Sequence, residues 1–115
     1  MTLSAFEIAR IEKTMNCFIE KIRPPVHIRD QLDFIFRLTN QSVELFEVRP
    51  LWGNPKEKTE QPVAKATFTK NQGIWKVYWH RADGKWHRYE PNAEVKSLDQ
   101  FLSVIKKDEY GCFFG

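Results

Sequence analysis

The side chains best suited to bind a metal ion or an anionic ligand lie in one stretch, YWHRADGKWHRY, at positions 78–89. It holds the histidines His80 and His87 and the tryptophans Trp79 and Trp86 on either side of an Asp-Gly turn. Imidazole nitrogens are zinc ligands, whereas cations beside aromatic rings bind phosphates and stack on bases. The stretch therefore suits two kinds of site, a metal centre or a surface for an anionic ligand.

A shared metal ion depends on the register of this hairpin. A two-residue type I′ turn at Asp83-Gly84 places His80 opposite His87, with Cβ atoms roughly 5 Å apart, where both can bind zinc if a third ligand such as Cys112 joins them. A type I turn with a glycine bulge shifts the pairing by one and sends the two histidines to opposite faces. Both registers stay open. His80, His87 and Cys112 are the metal candidates, and no cofactor is expected.

Basic residues concentrate in the middle of the chain. Residues 56–88 hold eight Lys and Arg against three Asp and Glu, a local charge of +5, while the whole chain carries +3. Such a segment favours an anion-binding surface, although lysines on strand edges also prevent aggregation. No glycine-rich phosphate loop, helix-turn-helix or RNA-recognition signature is present in the sequence. The candidate ligand-binding residues are basic or aromatic: Arg49, Trp52, Lys65, Trp79, Arg81, Trp86, His87 and Arg88.

A metal-assisted hydrolase is the leading alternative function. Glu47 on a predicted strand, with Asp30 or Asp33 before it and Lys65 on the next strand, is similar to the acids and cation of metal-dependent nucleases. The residue two positions after the acid is Arg49 instead of lysine, and a salt bridge between Glu47 and Arg49 explains both residues equally well. No nucleophilic triad is found and no catalytic residue is assigned, so binding is expected rather than catalysis.

Two helices are predicted, one near each end of the chain. Ser4 and Glu7 form a capping box before an apolar stripe at three- and four-residue spacing, which predicts a helix over 3–22. The prolines that follow end it. Ser97 and Gln100 form a second capping box before a short helix that ends near two lysines.

Five strands are predicted between the helices from alternation with a period of two. Short connections make neighbouring strands antiparallel, and the alternation of Trp75, Val77 and Trp79 is typical of a core face. Residues 49–62, RPLWGNPKEKTEQP, are expected to form a long mobile loop in which Trp52 either folds back over the sheet edge or forms a pocket wall with Arg49. The strands are predicted at 32–38, 43–49, 63–69, 74–80 and 85–90.

Composition and chain ends bear on location and self-association. The two cysteines, Cys17 and Cys112, form no CxxC arrangement, which favours a cytoplasmic protein with reduced thiols. No apolar run approaches the roughly 20 residues of a membrane span, so no membrane association is expected.

The apolar tail at 110–115 is expected to dock on the domain, since exposed Phe113 and Phe114 would favour association. A structural or self-associating module, with a homodimer as its product, is the remaining alternative.

Four motifs occur in order along the chain: RPLW at 49–52, PVAK at 62–65, YWHRADGKWHRY at 78–89 and GCFFG at 111–115. Together they resemble a family of short bacterial proteins known only as a domain of unknown function. The resemblance implies a bacterial source and a natural end at Gly115, and it implies no activity. The expected fold is α+β: an N-terminal helix, an antiparallel β-meander of four to five strands and a short C-terminal helix, in a single compact domain over 1–115. The expected function is a small cytoplasmic binding module with a basic-aromatic sheet surface for an anionic ligand or nucleic acid.

Overall fold

An antiparallel sheet lies between two terminal helices in the sequence order of the computed structural model, which describes residues 3–114 apart from the side chain of Pro55. The α+β fold and the compact single domain are confirmed. Short 3₁₀ turns at Val26–Ile28 and Glu90–Asn92 connect some of the elements. The helices and strands are α1 (Ala5–Ile22), β1 (Asp33–Thr39), β2 (Ser42–Leu51), β3 (Asn54–Thr69), β4 (Ile74–His80), β5 (Trp86–Arg88), β6 (Glu94–Val95) and α2 (Leu98–Lys107).

Both helices begin at the predicted caps. The Ser4 hydroxyl accepts from the Glu7 amide at 3.1 Å, and the Glu7 carboxylate accepts from the Ser4 amide at 2.8 Å, which completes the capping box before α1. Before α2, the Ser97 hydroxyl accepts from the Gln100 amide at 3.1 Å. The Gln100 side chain accepts from Lys96, one residue earlier than in a standard box, at 2.7 Å.

The strands follow a meander in the spatial order β1-β2-β3-β4-β5, and the short β6 pairs with β4 next to β5. The prediction of a loop over 49–62 is wrong, because β2 and β3 continue through it as a two-stranded ribbon that turns at Trp52-Gly53. Prolines are tolerated here because Pro50 and Pro62 lie beside register shifts, where a ladder hydrogen bond is already lost. Trp52 is 97% exposed at the tip, so it neither folds back over the sheet edge nor forms a pocket wall with Arg49.

The helices pack on one face of the sheet. On this face Val43 and Leu45 of β2 and Val77 of β4 are buried, in one core with Met15 of α1 and Phe101 of α2. Central strand β3 contributes two alanines to the same core, which lets the helix backbones approach closely. The prediction that Trp75, Val77 and Trp79 form a core face is confirmed, with Trp79 only partly buried.

The C-terminal tail docks on the domain, as the sequence predicts. Phe113 is buried against Tyr89, with ring centroids 4.8 Å apart. Phe114 meets Phe34 of β1 edge to face at 5.8 Å. Asp108, in left-handed conformation after α2, accepts from the Phe113 and Phe114 amides at 3.0 and 2.8 Å. The tail is therefore held by its backbone as well as by its rings.

An ion pair joins the end of α1 to the start of β1. Arg23 donates two hydrogen bonds to the Asp33 carboxylate, at 2.8 and 2.7 Å, and the two side chains are only 27% and 20% exposed. These hydrogen bonds from the guanidinium, opposed by desolvation and aided by the Phe34 amide, lower the pKa of Asp33. The pair is bidentate, the stronger geometry for such contacts.

We expect Asp33→Asn to lower the free energy of unfolding by about 1–3 kcal/mol at pH 7. The folded-state pKa of Asp33 lies below its unfolded value, so this stabilisation is complete above the unfolded pKa and is lost as pH falls through the folded one. The difference between wild type and variant should therefore shrink below about pH 4 in urea titrations. Asp30→Asn, on the exposed neighbour, is the control. A difference that stays constant down to pH 3, as an uncharged contact would give, contradicts the assignment.

Candidate ligand-binding surface

The sheet face opposite the helices is not covered by α1 or α2. Cross-strand partners share a face, and one row across the sheet runs Arg37, Glu44, Lys65, Tyr78 and Arg88. Each of these residues alternates with a neighbour that faces the helices. The neighbouring pair His80 and Trp86 lies on the same side. We call this side of the sheet the open face.

A basic–aromatic cluster lies at one end of the open face. It consists of Lys65, Tyr78, His80, Trp86 and Arg88 on β3, β4 and β5. The Lys65 ammonium lies 5.5 Å from the ring centroid of Tyr78 and 5.7 Å from that of Trp86, within cation–π range of both. His80 meets the Trp86 ring edge to face at 5.1 Å. Tyr78, His80 and Trp86 are partly exposed and Arg88 is exposed, so solvent reaches parts of the rings as well as a cation.

The hairpin register decides which residues belong to the cluster. His80 pairs with Trp86 and Trp79 pairs with His87, which is the register of the glycine bulge. Gly84 has a φ of +79° and donates to the Arg81 carbonyl at 2.9 Å, which closes the turn. Glycine adopts a positive φ at low energetic cost because it has no Cβ, which suits it to this position of the turn. His80 and His87 therefore point to opposite faces.

This register separates the metal candidates. His87 instead forms a 2.7 Å contact with the Asp83 carboxylate, which also accepts from the Lys85 amide at 2.9 Å. The Lys85 amide, then His87, lowers the pKa of Asp83. Burial raises the pKa of Cys112, which favours its protonated thiol over the thiolate that binds metal. Within residues 3–114, no group of three or more His, Cys, Asp or Glu is arranged to hold a metal ion.

Three of the predicted ligand-binding residues lie on the helix side of the sheet instead. Trp79 and His87 are cross-strand partners there, and the Arg81 guanidinium lies 5.2 Å from the Trp79 ring. With Tyr110 and Cys112 of the C-terminal segment they line an open cleft of about 540 Å³. Arg88 also lines this cleft, so the cleft and the basic–aromatic cluster meet at Arg88 of β5.

Arg49 and Trp52 lie on the ribbon, away from both groups. Arg49 contacts the carboxylate of Glu47 two residues earlier, as the salt-bridge explanation of this pair expects. The expectation of one surface formed by all eight residues is thus wrong, because strand alternation divides them between the two faces and the ribbon carries two of them outward. The open face holds Lys65, Trp86 and Arg88.

The acids and cation of the hydrolase alternative are not brought together. Glu47 shares a face with Phe34 on the helix side and pairs with Arg49, whereas Lys65 is on the open face. Asp33 is bound by Arg23. Asp30 precedes β1, and its backbone carbonyl accepts from Lys58.

Tyr78 and His80 are the members of the cluster that sequence reasoning left out of the ligand-binding set. The signal for them is the same alternation that predicts Trp75, Val77 and Trp79 as core, since intervening residues must face the other way. Of the two phenylalanines considered for self-association, Phe113 is buried in the domain, whereas Phe114 is 37% exposed.

Among the described residues, no helix is long and apolar enough to span a membrane.

Comparison with known proteins identifies the family. No curated protein matches the chain, and no solved structure matches it. A family model described as "Domain of unknown function (DUF3024)" matches residues 3–115. The chain therefore belongs to the DUF3024 family.

Proposed function

We propose that the protein is a small cytoplasmic binding module that takes single-stranded nucleic acid, an anionic ligand with flat bases, on its open face. The observation that carries this proposal is that the Lys65 ammonium lies within cation–π distance of both Tyr78 and Trp86, on a face that neither α-helix covers. Aromatic side chains on such a sheet stack on unpaired bases, while neighbouring cations attract the phosphates.

The spacing of the two rings supports a strand of nucleotides over a single small anion. Tyr78 pairs with Arg88 and His80 pairs with Trp86, so Tyr78 and Trp86 are diagonal neighbours. Diagonal side chains on a sheet are roughly 7–8 Å apart, far enough for each ring to receive its own base. Arg88, beside Tyr78, supplies a cation at the same end.

The charge on the open face supports moderate, salt-sensitive binding. Lys65, Lys76 and Arg88 lie on it, but so do Glu44 and Glu94 as cross-strand neighbours. Three phosphate contacts correspond to a slope of about −2 for log K against log salt on single strands. The free thiols of both cysteines suit the reducing cytoplasm.

The test is fluorescence anisotropy of a labelled oligothymidylate of about 16 nucleotides, titrated with the wild-type protein at several salt concentrations. We expect saturable binding with the slope above. Lys65→Glu should weaken binding at least about tenfold and flatten the slope, because it removes one phosphate contact and adds a repulsive charge. The matched control is Lys13→Glu, the same change on an exposed position of α1. Absence of saturable binding by the wild type, or equal losses in the two variants, overturns the proposal.

A further inference from the structure

The outer edge of β1 is open for strand pairing. Among the described strands β1 pairs only with β2, in a ladder of seven residue pairs without a register shift. Its sequence, DFIFRLT, holds no proline, lysine or glycine, the residues that commonly block an edge. The charged residues on it are Asp33 and Arg37. These two residues decide what the edge can pair with.

The sequence of β1 is complementary to itself. Asp33-Phe34-Ile35-Phe36-Arg37 has a phenylalanine on either side of Ile35 and opposite charges at its two ends. In an antiparallel pair of two copies centred on Ile35, each Asp33 lies opposite Arg37 of the second copy, and each Phe34 lies opposite Phe36. A register centred on Asp33 or on Arg37 instead opposes like charges, which is destabilising. The charges therefore favour the register centred on Ile35, which places each Asp33 opposite an Arg37.

A cleft next to this edge supports the same pairing. It has a volume of about 590 Å³ and lies between α1 and β1, and its lining consists of the apolar Leu3, Ile8, Phe36 and Leu38 with the polar Glu12 and Asn40. In the register centred on Ile35, Phe34 and Leu32 of a second copy lie opposite Phe36 and Leu38. The cleft would then be bordered by apolar side chains from both copies.

Pairing at this edge rearranges the hydrogen bonds of Phe34, Asp33 and Arg37. The Phe34 amide donates to its neighbour, the Asp33 carboxylate, at 2.8 Å. In the paired register this amide can donate to the Phe36 carbonyl of the second copy. Asp33 Oδ1 then keeps its bond from Arg23 Nε and has one acceptor position for Arg37 of the second copy. The Arg37 guanidinium lies 4.9 Å from the Phe46 ring of β2 and donates to Glu60 of β3 at 2.7 Å, so it must turn outward from these partners to contact Asp33 of a second copy.

We propose that two copies of the chain form a two-fold symmetric dimer through antiparallel pairing of their β1 strands about Ile35. The interface is isologous, so each copy contributes the same residues. The two sheets become continuous, and both open faces lie on the same side. The inference does not rest on the proposed function. One strand pair buries less surface than a standard interface of about 1,600 Å², so a dissociation constant in roughly the micromolar range is expected.

Analytical ultracentrifugation of the wild-type chain over roughly micromolar to millimolar concentrations tests the dimer. We expect a monomer–dimer equilibrium. Arg37→Asp and Asp33→Arg should each weaken dimerisation at least about tenfold, because like charges then face each other twice. An equimolar mixture of these two variants should form heterodimers, since opposite charges are restored at both ends. A general loss of folding cannot produce this recovery.

Ile35→Lys provides a second, independent variant, because it places two ammonium groups opposite each other at the symmetry axis and leaves the Arg23–Asp33 ion pair intact. Lys76→Asp, a charge reversal on β4 of the same sheet face, is the control and should dimerise as the wild type does. A wild type that stays monomeric up to millimolar concentration overturns the proposal, as does a dimer that none of the β1 variants weakens. Oligonucleotide binding is read separately by anisotropy, so the two proposals can fail independently.

Discussion

Trp86→Ala is expected to weaken binding of single-stranded oligonucleotide by about 5- to 150-fold, the loss of one base-stacking contact of about 1–3 kcal/mol. The partly exposed indole lies on the open face of the sheet, with the Lys65 ammonium over its ring and His80 in edge-to-face contact with it. Alanine removes the stacking surface and also releases the Lys65 ammonium from one of its two rings. The Tyr78 ring remains beside Lys65 as a second stacking surface, so we expect binding to be weakened and not abolished.

The measurement is the same anisotropy titration, at one fixed salt concentration, with folding checked by circular dichroism. The chain offers a matched control in Trp52→Ala, because this tryptophan is 97% exposed at the tip of the ribbon. Exposure alone would make Trp52 the better base-stacking residue, whereas the cation–π geometry favours Trp86. Equal affinity of Trp86→Ala and wild type, or a larger loss in Trp52→Ala, contradicts the site assignment.

Phe101→Ala is expected to lower the free energy of unfolding by about 3–5 kcal/mol. The Phe101 ring is fully buried, in the core that α2 shares with α1 and the sheet. Its removal takes apolar surface out of the core and leaves a cavity that the surrounding helices and strands fill only in part. Small domains have a total stability of about 5–15 kcal/mol, so the variant would lose a large share of it. The midpoint of thermal unfolding should fall by about 10–20 °C.

Phe6→Ala is the same substitution on α1 and is the control for this effect. Phe6 is 71% exposed and has an Arg10 guanidinium 5.9 Å from its ring centroid. Its loss should change stability by no more than about 0.5 kcal/mol. Thermal and urea denaturation of both variants measure the comparison. Similar losses in the two variants would show that the burial of α2 contributes little.

The helices and strands β1 to β5, with β2 and β3 only in part, could be predicted because their signals are local, whereas the two-residue β6 was not predicted. Ser4 and Ser97 mark the first turns of α1 and α2, since a hydroxyl there satisfies amides that lack helical partners. The alternation through Trp75 and Val77 fixes which residues of β4 face the helices. Each of these signals acts over a few residues and needs no distant part of the chain.

The β2–β3 ribbon was mispredicted because its signals are not local. Pro50 and Pro62 argue against a strand when the sequence is considered alone. They fit within β2 and β3 because each lies where the register between the two strands shifts. Such shifts exist only after the strands have paired, so the prolines carry no sequence signal that distinguishes a bulged ribbon from a loop.

In the candidate site, too, some features follow from local sequence and others depend on strand pairing. The sequence by itself determined that 78–89 forms a hairpin and that consecutive residues on its strands face opposite ways. It left two registers open at Asp83-Gly84, because both turns accept glycine at this position. The tertiary structure decided between them: His80 pairs with Trp86, with Lys65 of β3 over the Trp86 ring, while His87 turns to the helix side. A one-residue shift in register moves side chains between faces, so the composition of the site depends on strand pairing that no single segment encodes.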